Sequence, residues 1–167
     1  MNINNKLIGI HKEDGNNNKG LFLNYPLKEF IQLYNSEKIL KAFNQKYNLN
    51  IGDTNTIKLN LNWKKIGNEG LKHLCKIEFK ELKELNLCGN YISDIKVLEN
   101  VKFENLEILN LSLNKISDIN ILEKVKFKEL KELYLFDNNI SDIKVLENVK
   151  FPKLELLSLS SNKIYGY

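Results

Sequence analysis

A phenylalanine recurs every 24 residues between positions 79 and 151 of this chain, and no other feature constrains the fold so strongly. The four are Phe79, Phe103, Phe127 and Phe151. The same hydrophobic frame, LxxLxLxxNxI, follows each of them, as in LKELNLCGNYI at 82–92. A less regular unit, TIKLNLNWKKI, aligns 26 residues upstream and carries Lys64 where the frame has asparagine. A fixed period of this length indicates a repeat protein, in which each unit buries its apolar face only against its neighbours.

The alternating leucines of each unit predict a short β-strand. In a strand such as the one holding Leu85 and Leu87, alternate side chains point to one side, so the leucines form a core when units stack into a parallel sheet. The segments that follow, such as ISDIKVLENVKF, have an apolar residue at about every third position. We expect short helices or 3₁₀ turns there on the convex side, N-capped near Ser93, Ser117 and Ser141.

The frame asparagines leave each strand at a turn, where the backbone loses its ladder partners. An inward-pointing amide can bond these groups and the neighbouring repeat. The pattern therefore predicts a structural ladder of asparagines with no catalytic role. Its members are Asn90, Asn114, Asn138 and Asn162.

Frame and period together resemble the leucine-rich repeat family, over about five repeats in residues 51–167. The later units are most similar to the subclass of a leucine-rich regulatory subunit of protein phosphatase 1, whereas IGNEGLKHLCKIEF in the first unit is closer to the ribonuclease-inhibitor-like subclass. The resemblance implies an α/β solenoid with a parallel β-sheet on the concave face and short helices or 3₁₀ turns on the convex face. It also implies a protein partner, of which a phosphatase catalytic subunit is one example.

Residues between the leucines should face the concave surface, and two of them are aromatic. Tyr134 and Phe136 stand in rows that otherwise hold mostly small or polar residues. With apolar neighbours and an acidic rim they predict a binding patch for a protein, because such interfaces have an apolar centre and a polar edge. Its other members are Ile108, Leu113, Leu156, Glu132 and Asp137. The alternative is that the two rings stack on each other, and Trp63 either covers the first repeat or binds a partner.

The first 50 residues have a different character. Two short apolar segments, Leu7 to Ile10 and Leu21 to Leu23, predict a hairpin. A helix is expected from Pro26 and a second one from Ser36. We expect this N-terminal part, residues 1–50, to cover the first repeat of an array at 51–167, since the terminal units of solenoids need a cap.

Residues 7–34 also resemble the C-terminal end of a trypsin-like serine peptidase. The matching pieces are Leu7 to Lys12 and Gly20 to Phe30. No Gly-x-Ser-Gly sequence precedes them, and His11 lies in the strand and does not match the triad histidine. The resemblance therefore implies the targeting or C-terminal fragment of a peptidase with an attached repeat array, inactive as this chain.

Composition argues against several classes of function. All 25 basic residues are lysines, and they alternate with 21 acidic residues. Because bidentate contacts to phosphate and guanine are arginine chemistry, we expect no nucleic-acid partner. No run of about 18 apolar residues occurs, and the first residues lack the apolar run of a secretory signal, so we expect no membrane contact and a cytoplasmic location.

The sequence contains no recognisable catalytic or metal-binding motif. Cys75 and Cys88 fit neither a disulfide framework nor a zinc site, and we interpret both as free thiols. His73 and Cys75 form an isolated pair with no further ligand at metal spacing. We expect no catalytic residue, no metal, no cofactor and no enzymatic activity.

The frame ends at Ile164, three residues before Tyr167, without a polar capping unit. An uncapped strand would expose its edge and its leucines. We expect self-association through this C-terminal repeat. The alternatives are that Tyr165 and Tyr167 fold over the end, or that the array continues in residues absent from this chain.

Overall fold

The computed structural model describes residues 8–10, 21–23 and 27–165. The strands are β1 (Ile8–Ile10), β2 (Leu21–Leu23), β3 (Lys58–Asn60), β4 (Glu84–Asn86), β5 (Ile108–Asn110), β6 (Glu132–Tyr134) and β7 (Leu156–Ser158). The α-helices are α1 (Leu27–Tyr47) and α2 (Gly67–Leu74), and the 3₁₀ helices are Lys96–Asn100, Asn120–Glu123 and Lys144–Glu147. Pro26, His11 and Tyr167 lie outside the described residues.

Strands β3 to β7 form one five-stranded parallel sheet in chain order. Residues one period apart pair directly, so that Leu85, Leu109 and Leu133 stand side by side. This register follows from the repeat, because any shift by one residue would turn the leucines to the solvent face. The α/β leucine-rich repeat solenoid predicted from the sequence is confirmed.

The core is a continuous stack of the frame residues. The frame leucines and isoleucines of the second, third and fourth repeats are buried, and the recurring phenylalanines form a buried column behind them. Phe79 and Phe103 have ring centroids 6.2 Å apart, and Phe127 and Phe151 lie 6.0 Å apart. Each of these two ring pairs crosses a repeat boundary, which ties the second repeat to the third and the fourth to the fifth.

The convex side consists of α2 in the first repeat and 3₁₀ helices in the next three. Serine does not cap these helices. Instead the side-chain oxygen of Asp94 accepts a hydrogen bond from the N–H of Lys96 at 3.0 Å, and Asp118 and Asp142 do the same with Asn120 and Lys144. An aspartate side chain that bonds the N–H two residues later forms a local turn. In each repeat this turn replaces the cap expected from the serine directly before the aspartate.

Helix α1 runs unbroken from Leu27 to Tyr47, so the prediction of two helices is wrong. Ser36 is buried in mid-helix, where its Oγ accepts a hydrogen bond from the N–H of Glu78 at 3.1 Å. The serine thus bonds a neighbouring repeat and does not start a helix. Nothing else interrupts α1, because the segment contains neither glycine nor proline.

The second half of α1 packs on the first repeat. Leu40 and Phe43 are buried and belong to the same core as Leu59 and Leu61. Farther up the helix Tyr34 is exposed. Before α1, strands β1 and β2 pair antiparallel, with Ile8 opposite Leu23, which is the predicted hairpin. The boundary at residue 50 stays a prediction.

Candidate functional site

The parallel register arranges the concave side chains in rows that cross the sheet. The first row consists of Lys58, Glu84, Ile108, Glu132 and Leu156. The second consists of Asn60, Asn86, Asn110, Tyr134 and Ser158. Each row is a line of neighbours about 4.8 Å apart, so a change of residue type along it is a change of surface chemistry.

The three asparagines of the second row share one local geometry. The Oδ1 atoms of Asn60, Asn86 and Asn110 accept hydrogen bonds of 3.1, 3.0 and 2.9 Å from the backbone N–H two residues on. Because the oxygen is engaged, each amide offers its N–H groups to a ligand. The sequence predicts the row but not this orientation, which depends on the turn that follows each strand.

Tyr134 takes the fourth place in that row and is held there. Its hydroxyl donates a 2.6 Å hydrogen bond to Oε2 of Glu132, two residues earlier on the same face. This hydrogen bond, with some burial, raises the pKa of the Tyr134 hydroxyl. The contact fixes the ring against the sheet and leaves it half-buried.

Phe136 lies at the exit of strand β6 with 37% of its surface exposed. Its carbonyl accepts a hydrogen bond of 2.9 Å from the N–H of Leu113, which places these two residues side by side. The aromatic ring pairs found among the described residues do not include Tyr134 with Phe136. The structure therefore does not have the stacked pair that was the alternative to a binding patch.

The remaining predicted members surround these two rings. Ile108 and Leu156 lie on either side of Glu132 in the first row, and Leu156 is exposed. Leu113 and Asp137 occupy equivalent turns, both with positive φ, and Asp137 is exposed. The structure thus places four of the seven predicted residues in the solvent-facing rows of the strands, and the other three in the turns that directly follow two of these strands. We name this set, Tyr134, Phe136, Ile108, Leu113, Leu156, Glu132 and Asp137, the concave patch.

A shallow depression of about 280 Å³ adjoins the concave patch across strands β3 to β6. Its walls combine the asparagine row with Ile108 and Tyr134. An ion pair of 2.7 Å between Lys58 and Glu84 lies in the same depression. The surface next to the patch is therefore a depression in which amide and charged groups lie beside apolar side chains.

The ladder asparagines bond across repeat boundaries. Oδ1 of Asn114 accepts hydrogen bonds from the N–H groups of Asn90 and Ile92, and its Nδ2 donates to carbonyls of both its own and the preceding repeat. Asn90, Asn138 and Asn162 likewise bond the backbone of the preceding repeat. Within the described part of the chain no repeat precedes the first unit, and its Lys64 is exposed at the frame position.

The described residues offer little other chemistry. Burial raises the pKa of the Cys75 thiol to about 12, and burial also raises the pKa of Cys88. Within residues 27–165 and the two short strands, no three His, Cys, Asp or Glu side chains could together hold a metal ion. No described helix is long and apolar enough to cross a membrane.

A sheet of stacked LxxLxL strands closed by frame asparagines defines a class of repeat protein, and comparison with known proteins identifies it. Residues 80–124 and 128–165 match the family described as leucine-rich repeats (2 copies). The chain belongs to the leucine-rich repeat family. The two subclass assignments and the peptidase resemblance of residues 7–34 stay predictions.

Two solved structures are among those similar to this chain. An internalin (inlF) from Listeria monocytogenes is 24% identical over 58% of this chain, with a TM-score of 0.45. The match spans 32% of that internalin, so this chain corresponds to about a third of its length. Internalin C2 (inlC2) from the same organism is 18% identical over 77% of this chain and 85% of its own, with a TM-score of 0.36. A search of curated proteins finds no match.

Proposed function

We propose that this chain is a non-enzymatic interaction module that binds another protein on the concave patch. One observation carries the proposal. The second concave row holds asparagine in three successive repeats, and the strand register then places Tyr134 in it, beside the exposed Phe136. These two aromatic side chains are not part of the buried core, and aromatic residues dominate the energetics of protein interfaces.

The arrangement of the concave patch suits protein recognition. Phe136 and Leu156 expose apolar surface between Glu132 and Asp137, which gives an apolar centre with an acidic edge. The hydroxyl of Tyr134 is already bonded, so binding would cost little rotamer entropy at that residue. The partner expected here presents an apolar side chain flanked by hydrogen-bond acceptors for the asparagine row and by basic groups for the rim.

The test is capture from a lysate with the purified chain, compared with the double variant Tyr134→Ser, Phe136→Ser. The matched control is Tyr34→Ser, Tyr165→Ser, which removes two exposed aromatic residues outside the concave patch. Mass spectrometry identifies the proteins retained, and circular dichroism checks that each variant is folded. We expect a partner that the native chain and the control retain and the patch variant loses. Equal retention by all three would refute the concave patch as the site.

We also propose self-association through the last repeat. Strand β7 is the last strand of the described sheet, and its frame residue Leu157 is 36% exposed although its equivalents in the other repeats are buried. Tyr165 is 84% exposed and does not cover this end. Light scattering over a wide concentration range should show mass rising with concentration, and Leu157→Lys should reduce the rise. A constant monomer mass would contradict the proposal.

The second candidate function is that of a peptidase-derived fragment, catalytically inactive by itself. It is favoured by one observation, the antiparallel pairing of β1 and β2, which is the element that the resemblance of residues 7–34 requires. Sequencing the transcript upstream of Met1 tests it. Triad residues encoded in frame would support a longer peptidase, and an in-frame stop codon would refute it. A cytoplasmic location and a phosphatase partner likewise stay predictions.

A further inference from the structure

A tryptophan ring that is not part of the concave patch packs on the surface of the next repeat. Trp63 lies in the turn after strand β3, with a positive φ of 58° and 58% of its surface exposed. The ring lies against Gly89 of the next repeat. A Cβ atom built on Gly89 would come within 2.5 Å of the ring atoms Cδ2 and Cε3. Carbon atoms in contact are about 3.5–4.0 Å apart, so any side chain at position 89 would displace the ring.

The backbone alone does not explain this glycine. Gly89 has a φ of 69°, but the equivalent turn residues in the other repeats are also in the left-handed region and carry side chains. They are Trp63, Leu113, Asp137 and Ser161, with φ between 51° and 58°. Because this turn tolerates side chains elsewhere, the space needed by the indole ring is the reason for glycine at position 89.

The next repeat extends the same surface. Tyr91 lies two residues after Gly89 and is exposed. The Nζ atom of Lys115, from the third repeat, lies 5.2 Å from the centroid of the Tyr91 ring, within the range of a cation–π contact. The N–H of Lys115 also bonds the carbonyl of Ile92 at 2.7 Å. Trp63 and Lys115 therefore converge from opposite sides on the turn that holds Gly89 and Tyr91.

Basic residues lie next to Trp63 in the sequence. Lys64 and Lys65 directly follow Trp63, and both are exposed. The ion pairs found within the described residues use other lysines. We name the set Trp63, Lys64, Lys65, Gly89, Tyr91 and Lys115 the aromatic edge. An exposed indole held against Gly89, with two exposed lysines directly after it in the chain and Lys115 over the Tyr91 ring, is complementary to an apolar residue within an acidic sequence.

We propose that the aromatic edge binds an acidic segment of another protein, with an apolar or prolyl residue of that segment against the Trp63 ring. The aromatic edge shares no side chain with the concave patch. The patch centres on Tyr134 and Phe136 of the fourth repeat, whereas Trp63 belongs to the first. Gly89 and Leu113, however, hold equivalent turn positions in adjacent repeats. The two proposals rest on different side chains and fail independently. A single-stranded nucleic acid would also combine stacking with negative charge, but the chain has no arginine for bidentate phosphate contact.

Trp63 is the only tryptophan of the chain, so its fluorescence reports on this site alone. A display library of random peptides is selected on the native chain after depletion on Trp63→Ser. We expect the recovered peptides to be rich in aspartate and glutamate around an apolar or prolyl residue. Titration of a synthetic recovered peptide should shift the emission of Trp63 and reach saturation. The affinity should fall as salt rises, because exposed charges are screened.

Variants distinguish binding at the aromatic edge from binding at the concave patch. Anisotropy of the labelled peptide should show affinity about tenfold lower or worse for Trp63→Ser. It should also be lower for the double variant Lys65→Glu, Lys115→Glu, and unchanged for Tyr134→Ser, Phe136→Ser. Gly89→Ala should displace the ring and change the emission of the free protein. Its control is Gly52→Ala, where a Cβ would meet no atom within 4 Å.

Four results would overturn the proposal. They are a selection that yields no peptide specific for the native chain, recovered peptides that are neutral or basic, binding that survives Trp63→Ser, and binding of a single-stranded oligonucleotide as tight as that of the peptide. Far-UV circular dichroism confirms folding. Trp63→Ser keeps the test valid even if Gly89→Ala is unfolded, because Trp63 is mostly exposed.

Discussion

The two ends of the repeat array contain the same frame residue in opposite surroundings. Leu59, in the first repeat, is 6% exposed, whereas Leu157, at the same place in the last, is 36% exposed. Both belong to strands in the same register. The difference shows that burial in this molecule comes from what stacks on a repeat, since a repeat cannot bury its own leucines.

The covered end is held by more than apolar contact. The carboxylate of Glu37 in α1 accepts hydrogen bonds from both the N–H and the hydroxyl of Thr54. Asn44 exchanges two hydrogen bonds with the backbone of Ile51. At the other end, the partners of Asn162 among the described residues lie in its own and the preceding repeat. The last repeat is therefore held from one side, by the repeat before it. We expect local stability to decline along the array from the first repeat to the last.

The largest effect is expected from breaking the covered end. Phe43→Ala removes a buried ring of α1 that packs against Tyr47, at a ring-centroid distance of 4.8 Å. Truncating a buried phenylalanine typically costs about 3–5 kcal/mol. Urea unfolding measures the loss. Tyr34→Ala, an exposed aromatic on the same helix, is the control and should change stability by no more than about 0.5 kcal/mol. A small loss for Phe43→Ala would show that α1 does not cap the array in solution.

Truncation of the frame leucine compares the middle of the array with its end. Leu109→Ala should cost about 2–5 kcal/mol, because Leu109 is fully buried between two repeats. Leu157→Ala should cost less than about 1.5 kcal/mol, since much of that side chain already contacts water. Urea unfolding of both variants at low protein concentration gives the comparison. Equal losses would indicate that the last repeat is covered in solution, as self-association would require.

The frame asparagines give a smaller contrast of the same kind. Asn114→Ala leaves backbone groups of two repeats unpaired and should cost about 1–3 kcal/mol. Asn162→Ala should cost less, because Oδ1 of Asn162 accepts one backbone hydrogen bond where that of Asn114 accepts two, so fewer groups are left unpaired. Thermal unfolding of both variants measures the difference. A loss for Asn162→Ala as large as that for Asn114→Ala would mean that the missing second hydrogen bond does not matter to stability.

The period of 24 residues predicts most of the fold, because it determines which residues pair. The strand register, the buried leucines and the positions of the frame asparagines all follow from it. The unbroken helix α1 does not follow from the period. Serine is a good capping residue, and the hydrogen-bond partner of Ser36 in the fold, the N–H of Glu78, is 42 residues away in the sequence. The aspartate turns could have been found from the Ser-Asp pair, because an aspartate side chain readily bonds the backbone N–H two residues later.

The concave patch is predictable in its membership but not in its detail. Alternation along each strand assigns Tyr134 and Phe136 to the concave side. Two details depend on side-chain rotamers and on turns with positive φ. They are the hydrogen bond from Tyr134 to Glu132 and the packing of the Trp63 ring on Gly89. A glycine in a turn where other repeats carry side chains was the one signal in the sequence for the aromatic edge.

The smallest effect on stability is expected from a row of charged side chains that joins three repeats in the middle of the array. Glu107 receives hydrogen bonds from Lys131 at 2.6 Å and from Lys83 at 2.9 Å, one in each neighbouring repeat. These bonds, Lys131 first, lower the pKa of Glu107 to about 2. A glutamate in the unfolded chain has a pKa of about 4.3. Because the folded pKa is the lower one, the contribution of Glu107 to stability is complete above the unfolded value and is lost as the pH falls towards 2.

Glu107→Gln should therefore lower Tm most near neutral pH, and the difference from the native chain should shrink below about pH 4. The effect should be the weakest of the four and weaker still in high salt, because exposed ion pairs are screened. Glu104→Gln makes the same charge change at an exposed glutamate nearby and should leave Tm almost unchanged. A Tm difference for Glu107→Gln that persists unchanged at pH 2 would show that packing of the side chain, and not its charge, joins these three repeats.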